Sequence, residues 1–111
     1  MKSREQLVLR ALQELKVVGA GQQPAAEDAK IVDDEIPPVM GDLARRDIYY
    51  WGDPDQIDDD SFVHLAIILA NSVRVPFGQT PDETVRLLAE QRLRSINAQT
   101  LSGRAQTAEY F

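Results

Sequence analysis

The amino-acid sequence predicts an all-α protein: a small bundle of four to five helices around a central apolar helix, followed by an extended C-terminal arm. Three observations carry this. Phe62 to Val75 is so apolar that, wound as a helix, it leaves almost no polar face and must be covered on nearly every side. The segments before and after it repeat their apolar residues at helical spacing between recognisable cap and stop signals. Beyond Asn97 that repeat dissolves into Gln, Thr, Ser, Gly and Ala. The predicted boundary falls there, with a helical body over 1–97 and an arm over 98–111.

The first helix is expected to open at Ser3, where a Ser-x-x-Gln arrangement allows a reciprocal capping box with Gln6. Leu7, Val8, Ala11, Leu12, Leu15 and Val18 form its apolar face, and Gly19-Ala20-Gly21 is read as its stop. A second helix should begin near Pro24 and bury Ala25, Ala29, Val32 and Ile36. Pro37-Pro38 interrupts it, because each proline lacks a donor and clashes with the preceding turn. Val39, Met40, Leu43 and Ala44 keep the phase beyond, so a helix in two pieces is expected.

Ile48-Tyr49-Tyr50-Trp51 is rich in β-formers and reads as an extended segment before a turn at Gly52-Asp53-Pro54-Asp55. Four residues cannot form a sheet unaided, so they act as an aromatic plug over the core or pair with another chain. Asp58, Asp59, Asp60 and Ser61 suit the start of the central helix. There Phe62, Leu65, Ala66, Leu69 and Val73 form one face, and Val63, Ile67 and Ala70 a second. His64, Ile68, Asn71 and Val75 make a mixed third stripe, suited to a covering helix or to another subunit. Pro76-Phe77-Gly78 ends this helix. Thr80-Pro81-Asp82-Glu83 opens the last one, with Thr80 as cap and Glu83 closing a capping box, and Val85, Leu88, Ala89, Leu93 and Ile96 as the inward face.

At 111 residues the chain fits one domain, and 43% apolar with 27% charged residues is a globular composition. The formal net charge of −6 argues against stand-alone binding to a phosphate backbone. That acidity serves solubility, or it repels DNA from the wall of a conduit. With no cysteine, disulfides and thiolate metal sites are excluded. Met1 to Gln6 lacks a signal-peptide pattern and Leu65 to Ala70 is too short to span a bilayer, so a soluble protein made in a cytoplasm and without a membrane partner is expected.

Candidate chemistry is sparse. The acidic cluster Asp53, Asp55, Asp58, Asp59 and Asp60 lacks the glycine and closing glutamate of a calcium loop, so solvation and helix capping explain it better. His64 is the lone histidine and lies in an apolar helix, which points to packing or an interface. Gly19-x-Gly21 lacks the third glycine and the lysine of a phosphate loop. Glu83 and Glu90 cannot be told from the outer face of a helix. The expectation is therefore no enzyme, no cofactor and no metal. Arg92, Arg94 and Arg104 make the C-terminal region locally basic, suited to an acidic protein surface.

The order of these pieces resembles the head-to-tail adaptor proteins, or tail accessory factors, of short-tailed bacteriophages and related prophage elements. The resemblance rests on Leu7-Val8-Leu9-Arg10-Ala11-Leu12-Gln13-Glu14-Leu15 running into Gly19-Ala20-Gly21, and on Pro24-Ala25-Ala26-Glu27-Asp28-Ala29. Leu69-Ala70-Asn71 before Phe77-Gly78 and the closing Glu109-Tyr110-Phe111 extend it over the whole chain, although these motifs are helix punctuation rather than chemistry. It implies a ring of about twelve copies that binds the phage portal after DNA packaging. The ring would extend the DNA channel and present a platform for a downstream tail or nozzle protein, at the head-tail junction of the virion. No sequence-specific contact with the DNA is implied. Carried onto this chain, the portal-binding arm would use Leu101, Arg104, Tyr110 and Phe111. Contacts between subunits or with the tail would use Tyr49, Tyr50, Trp51, His64, Ile68 and Asn71. Pro37-Pro38 and a short tail depart from the pattern. The residues alone also fit a small acidic helical regulator or adaptor of a bacterial protein; an enzyme comes third, without a recognisable acid, base or nucleophile arrangement.

Overall fold

The structure, a computed structural model, describes residues 1–19 and 21–109, with side chains described as far as Ala98. Its order is α1 (Arg4–Glu14), α2 (Ala26–Arg45), α3 (Asp59–Ser72), a 3-10 turn at Val75–Phe77, and α4 (Glu83–Glu109), with no strand among the described residues. The protein is all-α, and α3 is its centre: α1, α2 and α4 all pack on it. Leu65, Ala66, Leu69 and Ala70 are buried along α3, as its sequence requires. Each fully buried leucine contributes about 2 kcal/mol of transfer free energy.

α1 opens as read. Gln6 N–H donates to Ser3 Oγ at 3.2 Å and Ser3 N–H donates to Gln6 Oε1 at 2.8 Å, so two otherwise orphaned donors are satisfied. Lys2 and Ile57 exchange backbone hydrogen bonds of 2.8 and 2.9 Å, which pins the N-terminus to the segment leading into α3.

The stop of α1 comes earlier than the glycines. The helix ends at Glu14, and Lys16 takes the left-handed conformation at φ 60°. Val17 N–H donates to the Leu12 carbonyl and Lys16 N–H to the Gln13 carbonyl, the two bonds of a Schellman closure. α2 ends in the same way: Asp47 sits at φ 55°, Ile48 N–H donates to Leu43 and Asp47 N–H to Ala44. Neither closure uses glycine; at the end of α2 the next residue, Ile48, turns back onto the core and is fully buried beside Leu43, whereas Val17 after the α1 closure stays exposed.

The expected break at Pro37-Pro38 is corrected, since α2 runs through both prolines as one helix. Pro37 cannot donate to the Asp33 carbonyl four residues back. Arg4 replaces that donor: its Nη2 donates to Asp33 O at 3.2 Å and its Nε to Asp33 Oδ1 at 2.6 Å. Burial of Val32, Ile36, Val39 and Leu43 in one phase then holds the two halves together.

α4 is capped by Asp82 rather than Thr80, with Val85 N–H donating to Asp82 Oδ1 at 3.2 Å. The reason lies on α3, where Asn71 Oδ1 accepts Asp82 N–H at 2.7 Å and sets the last non-helical residue. The segment expected as an extended arm is helical instead as far as Glu109. Its three alanines, two glutamines, Leu101, Arg104 and Glu109 are good helix formers and outnumber Thr100, Ser102, Gly103 and Thr107, so helix is favoured even where nothing is there to be buried. At 27 residues α4 is about 40 Å long, a large part of the molecule's 52 Å greatest extent.

Candidate assembly surface

The inward face of α4 differs from the one read in the sequence. Ala89 and Leu93 are buried as expected, but Val85 and Leu88 are exposed, and the inward phase is shared with Arg86 and Glu90. Glu90 is 5% exposed, and it fixes the rotation of the helix. Arg46, just beyond α2, grips it with Nη2 to Oε2 at 2.6 Å and Nη1 to Oε1 at 3.3 Å, and Arg86 Nη1 donates to the same Oε2. Arg46 also reaches Asp42, and Arg86 reaches Glu83. A carboxylate so buried requires such partners. Its hydrogen bond holds the Arg46 guanidinium above its ordinary pKa, against the opposing effect of burial.

Because Glu90 turns inward, Leu87 and Leu88 turn outward, at 56% and 53% exposure. With Arg46, Thr84, Glu90, Gln91 and Arg94 they line an open depression of about 580 Å³. The doublet at 87–88 could have signalled this, since adjacent helical residues lie 100° apart and a narrow inward stripe cannot take both. Sequence reading instead placed Leu88 inside and passed over Leu87.

A second polar network binds the α3–α4 connection to α1. Asn71 Oδ1 accepts from Arg74 Nε at 3.2 Å, Arg74 Nη1 donates to Gln79 Oε1 at 2.9 Å, and Gln79 Nε2 donates to the Leu15 carbonyl at 2.7 Å. The chain thereby satisfies one of the free carbonyls at the end of α1.

The residues expected at a subunit or tail interface separate into two groups. Trp51, Ile68 and Asn71 are buried within the chain, so their assignment as contact residues is corrected. Trp51 packs in the core with its Nε1 donating to the Asp53 carbonyl at 3.2 Å, Ile68 joins the same core, and Asn71 serves the network above. Tyr50 is 77% exposed, while Tyr49 and His64 are half-buried. Partial burial, and then the positive charge of Arg92, push the His64 pKa below its ordinary value. Of the expected arm residues, Leu101 and Arg104 lie on the helical backbone of α4, with side chains outside the described set, and Tyr110 and Phe111 lie outside the described residues.

Among the described residues no group of three or more histidine and carboxylate side chains is placed to hold a metal ion, and no helix is long and apolar enough to cross a membrane. Comparison with protein-family models, with curated proteins and with solved structures finds no match to this chain.

Proposed function

We propose that this chain is a phage structural protein, a head-to-tail adaptor that binds the portal as a ring after DNA packaging, extends the DNA channel and offers the platform for tail attachment. The observation that carries the reading is α4. At 27 residues it is the longest of the four described helices, and it bears two exposed leucines beside an open depression lined also by Arg46 and Arg94. A long helix with an uncovered apolar strip suits a protein completed by neighbours. The order of helix punctuation along the whole chain, similar to that of the adaptor family, supplies the particular partner.

The test is the mass of the purified protein at low micromolar concentration, alone and mixed with its cognate portal, by light scattering or native mass spectrometry. The adaptor reading expects a stoichiometric multimer on the portal. Failure to bind at any ratio would transfer the weight to a monomeric acidic regulator.

A further inference from the structure

We infer that the outward face of α4 docks head to tail on the acidic outward face of α2 in a second copy of this chain. This deepens the ring reading above and rests on it for the closure of the assembly. The contact itself is argued from exposure and charge.

Leu87 and Leu88 are the exposed leucines among the described residues, and Arg92 and Arg94 flank them on the same side of α4. The two carboxylates beside them are already paired: Glu90, which lines the same depression, with Arg46 and Arg86, and Glu83, one turn earlier, with Arg86. This is an apolar strip with positive edges on a chain of net charge −6. The negative charge is concentrated elsewhere: residues 27–60 contain twelve carboxylates against three basic side chains. Two of those three are spoken for, Lys30 by Asp34 and Arg46 by Asp42 and Glu90.

Within that stretch, α2 presents an outward strip of matching character. Ile31 is 38% exposed, and Glu27, Glu35 and the exposed Pro38 lie near it at helical spacing, with Asp34 beside them paired to Lys30. Leu88, with arginines one to two turns beyond it on one copy, therefore faces Ile31 between carboxylates on the next. A two-fold pairing of parallel α4 helices would bring Arg92 and Arg94 against their own copies, and α2 with α2 would oppose carboxylates. Like charges facing each other are unfavourable in both. The charge pattern favours the unlike pairing over both, and that pairing is heterologous and continues from copy to copy; an antiparallel α4 pair would instead be indifferent to reversal of the α2 face.

The apolar strip is narrow, so the contact between free copies is weak, with a dissociation constant on the order of 100 µM at low salt. Sedimentation equilibrium on the full chain, up to about 1 mM and at two salt concentrations, reads it directly, since screening shortens to about 10 Å at 0.1 M salt. The variant Arg92→Glu/Arg94→Glu reverses one face and Glu27→Lys/Glu35→Lys reverses the other, with circular dichroism to verify the fold. Each variant alone is expected to associate at least about tenfold more weakly than the parent, and their equimolar mixture to regain association. Leu87→Ser should weaken it without changing its salt dependence.

A parent chain that stays monomeric throughout, or a mixture no stronger than its components, overturns the inference. Portal binding by the same variants separates it from the functional reading. Unchanged stoichiometry on the portal with either face reversed alone would remove this contact and leave the adaptor intact. Loss of portal binding by the parent would remove the adaptor and leave the contact to be judged by sedimentation.

Discussion

Replacing Glu90 by glutamine is the sharpest test of why α4 lies in its present rotation. The change keeps size and shape but removes the charge that Arg46 and Arg86 share. Removing one member of a buried ion pair costs about 3–5 kcal/mol, because the remaining charge is left uncompensated. Here both guanidinium groups keep an edge in water, with side-chain exposures of 38% and 27%, and each retains a second carboxylate in Asp42 or Glu83. The expected loss is therefore lower, about 2 kcal/mol. With an unfolding entropy of about 2.1 cal/mol/K per residue, that lowers Tm by roughly 9 °C for a chain of this length. Urea denaturation followed at 222 nm would give the free energy directly. A double-mutant cycle with Arg46→Met should show coupling of about 1 kcal/mol or more. A loss under about 0.5 kcal/mol, or additivity in the cycle, would show that apolar packing of Ala89 and Leu93 sets the rotation without the ion cluster.

Four further outcomes are expected. Lys16→Gly should stabilise the protein by about 1 kcal/mol, because glycine adopts the left-handed conformation without the steric cost borne by lysine; a destabilised variant would contradict the strain argument. Arg4→Met should cost about 1 kcal/mol and cost less in a Pro37→Ala background, where the helix regains its own donor to the Asp33 carbonyl; equal costs in both backgrounds would show that Arg4 does not replace that donor. His64 titrates below its ordinary 6.5. The unfolded chain therefore binds a proton first, and stability is lost as pH falls from the unfolded value through the folded one; an NMR titration placing His64 at or above 6.5 would reverse that sign. Deleting residues 101–111 should leave the body folded and abolish portal attachment, and a truncated chain that still binds would remove the arm assignment.

Helix identity was legible in the residues because it depends on local features. The apolar run of α3, the Ser3–Gln6 box and the apolar stripe of α1 all act within a few residues of themselves. Their consequences as regular structure follow from propensity, periodicity and capping, so the all-α class could be read before any contact was known. The core was readable for the same reason wherever a stripe had one possible inward side, as along α1 and α2.

Tertiary structure decided what two distant segments had to settle together. Pro37-Pro38 breaks a helix by local rules, yet Arg4, remote in sequence, supplies the missing donor and the helix continues. Asn71 moves the cap of α4 from Thr80 to Asp82. Above all, α4 offered two inward phases of similar apolarity, one through Leu88 and one through Ala89, Glu90 and Leu93. Periodicity cannot rank a buried carboxylate above a leucine, because the carboxylate becomes acceptable only once Arg46 arrives from the end of α2. That long-range pairing turns Leu87 and Leu88 to the surface, and so the candidate assembly face arose from an ion cluster that the linear order of residues does not display.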